Sequence, residues 1–217
     1  MTEAKLPKGV VLFEKDKPYS KIYFPTSSVI STIALFEDGQ IAEMGTTGCE
    51  GLVPIGAVVR SPVALNRRCV QIEGLAFAIS YPVFRRVQKQ SPGFENATLC
   101  CAQAYIAQVQ QSVACNSIHN NEERAARWLL MCCDRAESST FPLTQELLAA
   151  FLGVTRPTVS LIWRTFQNVG VISYRRGFVT IEDRQGLEEL ACECYQITRN
   201  AYHGCFSRAK TQKVPYC

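Results

Sequence analysis

The residue types best suited to chemistry fall in the last third of the chain. Over LGVTRPTVSLIWRTF, residues 152–166, a glycine and a cluster of hydroxyls precede an amphipathic run that carries Arg156 and Arg164. Further on, Cys192-Glu193-Cys194 with His203 and Cys205 offers the thiolates and imidazole that zinc prefers. Cys194 also reads as a small buried hydrophobe, on a helical stripe with Leu187, Leu190 and Ala191. On that reading neither a metal nor another cofactor is expected. No nucleophile with a base held beside it is legible, so the chain is not expected to be an enzyme.

The elements that must position the two arginines follow from capping and periodicity. Thr144 caps a helix whose inner face is Leu147, Leu148, Phe151 and Leu152, Gly153 ends it, and Thr155 caps the next. In that second helix Val159, Ile162, Phe166 and Val169 point to a core, which leaves Arg156, Ser160, Arg164 and Gln167 on the free side. Pro157 falls in the first turn, where a missing N–H costs no intrahelical bond. After Gly170, VISYRR and FVTIED around Gly177 predict a two-stranded wing with Arg175 and Arg176 at its turn. A helix with a cationic free face beside a basic hairpin fits a DNA groove and its phosphates. Arg156 is placed to fork onto guanine O6 and N7.

Upstream, GVVLF, KIYF, SSVISTIALF, QIAEMG, RRCVQI and LAFAIS predict short antiparallel strands over residues 9–81, with a hairpin turn at Glu37-Asp38-Gly39. GTTGCEGLVPIG is too broken for a strand and could line a pocket. From Glu95 to Asn121 a long helix is expected. Leu99, Ala102, Ile106, Val109 and Val113 alternate spacings of 3 and 4, and Asn116 takes the next position, as in the seam of two paired helices. Gln103, Gln108, Gln110 and Gln111 are expected to keep its other faces wet. A new helix then starts at Asn120 or Asn121, with Ala126, Leu129, Leu130 and Cys133 as its buried stripe.

Two stretches carry a family resemblance. LFEKDKPYSKIYFPTSSVISTIALFEDGQIAEMGTTGCEGLVP resembles the β-roll of the cyclic-nucleotide-binding superfamily in the form used by Crp/Fnr regulators. LTQELLAAFLGVTRPTVSLIWRTFQNVGVISYRRGFVTIED, about residues 142–183, resembles their C-terminal winged helix. The resemblance implies an α+β fold: a β-roll sensor over residues 1–94, a dimerisation helix over 95–118 and a winged helix-turn-helix over 119–217. It implies a homodimeric transcription regulator that binds double-stranded DNA at two half-sites, and Arg156, Pro157, Ser160 and Leu161 stand at positions that face bases. The full candidate DNA-contacting set adds Thr144, Thr155, Thr158, Arg164, Arg175 and Arg176. Pro157 and Leu161 replace the Glu and Arg common at those positions, so the family's target sequences are not carried over.

For an effector the resemblance points to Gly48, Glu50, Gly51, Arg67 and Arg68. The small residues that follow the phosphate-binding arginine in cyclic-nucleotide binders are missing after Arg68, which argues for an effector other than cyclic AMP. The iron–sulfur members carry N-terminal cysteines, whereas this chain has no cysteine before Cys49.

Composition agrees with this class. There are 23 Lys and Arg against 19 Asp and Glu, a net charge of +4, and between residues 142 and 181 four arginines face Glu146 alone. Eleven cysteines, an odd number with two adjacent pairs, do not form a disulfide framework. Without a secretory signal pattern or a long apolar run the chain is expected to be cytoplasmic, with no membrane partner. The rival reading is a thiol- or zinc-based redox sensor that signals through a protein partner.

Overall fold

The computed structural model describes the backbone of residues 1–211 and the side chains of residues 1–204. The chain begins with strands β1 (Thr2–Leu6), β2 (Val11–Phe13), β3 (Lys21–Pro25), β4 (Val29–Leu35) and β5 (Ile41–Thr47). After a short 3-10 turn at Ile55–Ala57 come β6 (Arg67–Ile72) and β7 (Gly74–Ser80). They pair antiparallel in two sheets, ordered β1-β7-β3 and β2-β6-β4-β5. β1 carries little apolar patterning and escapes a reading by alternation; its pairing partner β7 defines it. At the predicted hairpin the loop closes from Phe36 to Gln40, and only Gly39 takes a positive φ, +83°.

The helices follow as α1 (Tyr81–Gln90), α2 (Pro92–Ile118) and α3 (Asn121–Ala136). Pro92 fits the first turn of α2, so the helix starts three residues before Glu95. The break at residues 119–120 arises because Asn120 and Glu123 close a reciprocal capping box at the start of α3. Then come β8 (Thr140–Pro142), α4 (Gln145–Leu152), α5 (Arg156–Asn168), β9 (Ile172–Arg175), β10 (Phe178–Ile181), α6 (Arg184–Leu190) and α7 (Cys194–Thr211). β8 joins the wing, in the order β8-β10-β9.

Alternation along β4 divides the core. Ile30 faces the interior of the roll with Phe13, Tyr19, Ile22, Leu52, Val70 and Phe84. Val29 and Ile33 face the other way, into a second core shared with α3, α4, α5 and the wing. The two halves of the chain are therefore joined by packing as well as by α2. Between them Glu43, half-buried, accepts hydrogen bonds from Ser31 Oγ at 2.5 Å and from the indole N–H of Trp128.

Two details of the sequence reading change here. α6 ends at Leu190 and Ala191 is extended, so Leu187, Leu190, Ala191 and Cys194 are not one helical stripe. Val169 caps the end of α5 and is 60% exposed, while the anchoring position is taken by Trp163, which lies wholly inside.

Candidate nucleic-acid interface

α4 and α5 are built as capping predicts. Thr144 Oγ1 accepts from Leu147 N at 3.2 Å, Gly153 closes α4 at φ +65°, and Thr155 Oγ1 accepts from Thr158 N at 3.4 Å. The Thr155 and Thr158 hydroxyls also meet at 2.9 Å. Val159, Ile162, Trp163 and Phe166 are buried, so the face of α5 that carries Arg156, Pro157, Ser160, Leu161 and Arg164 is the exposed one. Ser160 Oγ donates to Gln145 Oε1 at 2.8 Å, which ties α5 to the first turn of α4.

The wing lies against this pair, with the Tyr174 ring 5.7 Å from that of Trp163. Its turn is the two residues Arg176 and Gly177, both with positive φ, the conformation that suits the twist of a hairpin. Arg175 and Arg176 are exposed. Arg156 makes an exposed ion pair with Glu146, Nε to Oε1 at 2.8 Å. Such a pair is worth little in water, so Arg156 can leave it for a stronger anionic partner.

Residues 123–190 match the family profile described as a Crp-like helix-turn-helix domain. An anaerobic regulatory protein of Haemophilus influenzae is 26% identical over 199 residues, spanning 87% of this chain and 76% of the relative. The transcriptional regulatory protein btr of Bordetella pertussis is 26% identical over 199 residues, 86% of this chain and 79% of the relative. The chain carries a Crp-like helix-turn-helix domain and is similar to Crp/Fnr-type transcriptional regulators over most of its length. Two solved structures share its fold across nearly the whole length. FixK2 from Bradyrhizobium japonicum has a TM-score of 0.74 at 15% identity, covering 88% of this chain and 97% of that one. A CRP-family transcriptional regulator from Thermus thermophilus has a TM-score of 0.72 at 15% identity, covering 88% and 96%.

The five effector candidates do not converge. Arg67 pairs with Glu14 at 2.9 Å on the outside of the roll. Arg68 is buried, donates to Asn66 O at 2.9 Å, and lines a cavity of about 310 Å³ with Tyr105, Ile106 and Val109 of α2. Burial lowers its pKa from the ordinary value, against the raising influence of Tyr105 and Tyr19.

Gly48, Glu50 and Gly51 lie at a different place, where the roll meets α3 and α7. Glu50 Oε1 sits 2.6 Å from Arg135 Nε, both side chains largely buried, and a Cβ on Gly48 would come within 2.5 Å of Arg135 Cβ. That glycine lets the arginine of α3 approach the loop. Burial opposes the charge of Arg135, but the charge and hydrogen bond of Glu50 together with Tyr202 and Cys132 outweigh it, and the pKa is raised. Gln108, expected to be wet, is wholly buried in this network: its Oε1 accepts from Arg135 at 2.5 Å and from the Tyr202 hydroxyl at 3.3 Å, and its Nε2 donates to Thr46 O at 3.1 Å.

The seam candidates also divide. Ala102 is buried against the chain's own roll, whereas Leu99, Ile106 and Val113 are 45%, 53% and 65% exposed; Val109 is half-buried and Asn116 exposed. α2 thus presents one face to its own chain and leaves an apolar row on the other. Of the four zinc candidates, Cys192 and Cys194 lie together, His203 lines another cavity with Cys49 and Glu50, and the Cys205 side chain lies outside the described residues.

Proposed function

We propose that the chain binds DNA sequence-specifically as a homodimer, with α5 in the major groove, Arg156 reading a base, and Arg175 and Arg176 of the wing holding phosphate. The observation that carries this reading is the one-sided burial of α5: its apolar residues are used up in the core, and its free face offers two arginines and a hydroxyl beside a basic turn. The exposed row of Leu99, Ile106 and Val113 supports pairing of α2 with a second copy, which would set two recognition helices about one DNA turn apart. Work on DNA would keep the protein in the cytoplasm, as a binding protein rather than a catalyst. Among the described residues no helix is long and apolar enough to cross a membrane.

The effector reading narrows to the cavity lined by Arg68. Ile106 and Val109 belong both to that cavity and to the candidate seam, so a small molecule there would touch the residues that set the dimer. The control step is then a shift between arrangements of the paired helices.

Binding-site selection from a random DNA pool, followed by titrations at several salt concentrations, tests the division between reading and holding. Arg156→Ala should relax preference at one position in each half-site, a loss of roughly 1–3 kcal/mol of discrimination. Arg176→Ala should keep the preferred sequence and reduce the slope of log affinity against log salt by about 1. If Arg156→Ala selects the same site with undiminished preference at every position, the reading face is elsewhere.

A further inference from the structure

At the joint between α2 and α7, four side chains from two distant parts of the chain converge. Cys115 and His119 stand one turn apart at the end of α2, and Cys192 and Cys194 lie at the start of α7. Their candidate ligand atoms all lie within 4.8 Å of one another. Cys115 Sγ is 3.5 Å from Cys192 Sγ, and Cys194 Sγ is 3.5 Å from His119 Nδ1. A tetrahedral zinc ion with Zn–S bonds of about 2.3 Å spaces its sulfurs about 3.8 Å apart, so small rotations would seat one.

The surroundings have the second layer that metal-binding groups carry. The other ring nitrogen of His119, Nε2, is 3.2 Å from Glu193 Oε2, the carboxylate contact that fixes a ligating imidazole with Nδ1 toward the metal. Gln111 Nε2 donates to Cys194 Sγ at 3.0 Å. Arg124 and Arg127 of α3 are close enough to act on the charge of Cys115, and the buried Nε of each has no hydrogen-bond partner among the described residues. Three thiolates and one imidazole around Zn²⁺ leave a net charge of −1, which those guanidinium groups would balance. Three sulfurs and a nitrogen in so small a space suit a single soft-ligand ion.

We propose that Cys115, His119, Cys192 and Cys194 bind one zinc ion, which clamps the C-terminal end of α2 to the start of α7. Binding displaces three thiol protons to solvent and leaves the imidazole neutral. Glu193 is exposed and the His119 side chain, though mostly covered, keeps 14% of its surface open, which gives the ion a way in on that side. The clamp holds the very segment where α2 gives way to α3, and it stands whether or not α5 reads DNA.

The test is metal content of full-length protein expressed with added zinc and purified under reducing conditions. One zinc per chain is expected, falling to background in Cys115→Ser, Cys192→Ser and His119→Ala and unchanged in Cys49→Ser, whose exposed thiol lies elsewhere. Because a variant could fail to fold, Co²⁺ is also titrated into metal-free wild type. The intense visible bands of tetrahedral cobalt thiolate should appear, and alkylation of Cys115, Cys192 and Cys194 should slow until EDTA is added. Wild type with neither zinc nor that spectrum overturns the proposal. So does full metal content in all three ligand variants, or a Cys115–Cys192 disulfide in freshly isolated protein.

Discussion

Val113→Asp separates pairing from folding more cleanly than any other seam substitution. In the single chain Val113 is 65% exposed, makes no part of either large core and lines none of the cavities described above, so the free protomer should barely register the change. Val and Asp have similar helix propensities, so the exchange costs the helix itself about 0.2 kcal/mol or less. In a paired seam each Val113 would bury the greater part of a side chain worth about 1.5–3 kcal/mol on full burial, so roughly 2 kcal/mol is lost from each chain. Two chains make about 4 kcal/mol, or roughly a thousandfold in the dimer dissociation constant, before the cost of desolvating two carboxylates is added. Sedimentation velocity over a concentration series reads the dissociation constant, and far-ultraviolet circular dichroism checks that the helices persist. DNA affinity should fall with dimerisation, since two half-sites bound by one dimer act together. The reasoning fails if wild type sediments as a monomer at tens of micromolar. It fails equally if Val113→Asp dimerises within threefold of wild type.

Two further outcomes follow from buried polar groups. Burial raises the Glu43 pKa in the folded chain above its unfolded value, against the opposing effects of Ser31 and Trp128. The folded state therefore holds the extra proton just above the unfolded pKa of about 4.3, and stability declines as pH rises through the raised value. Urea unfolding from pH 4.5 to 8 should show that decline, reduced in Glu43→Gln; an identical pH dependence in the two proteins would refute it. Calorimetry with cyclic AMP should show no tight binding, because Arg68 is already engaged with Asn66 O and the Gly48–Glu50 segment faces α3 rather than the same cavity. A micromolar or tighter dissociation constant that disappears in Arg68→Ala would reverse that conclusion.

Local signals carried the helix pair and its wing. Thr144, Gly153, Thr155 and the Arg176-Gly177 turn act through bonds and backbone angles within a few residues, so their geometry is legible before any tertiary contact is known. Period-2 and 3.6-residue patterning likewise located six of the seven strands of the roll and the long helix. Which side of that helix meets what could not be read in this way. Its apolar and small residues run around most of the surface, so Ala102 and Gln108 turned inward to the chain's own roll and to Arg135, while Leu99, Ile106 and Val113 stayed outside. The partner of Glu50 lies 85 residues away on α3, and Cys115 meets Cys192 across 77 residues. Spacing along the chain reports neighbours on one element, and it grouped Cys192 and Cys194 with His203 and Cys205, whereas the structure sets those two cysteines beside Cys115 and His119. These partners come from the end of α2, which only the packing of the β-roll, α3 and α7 against it brings to the same place.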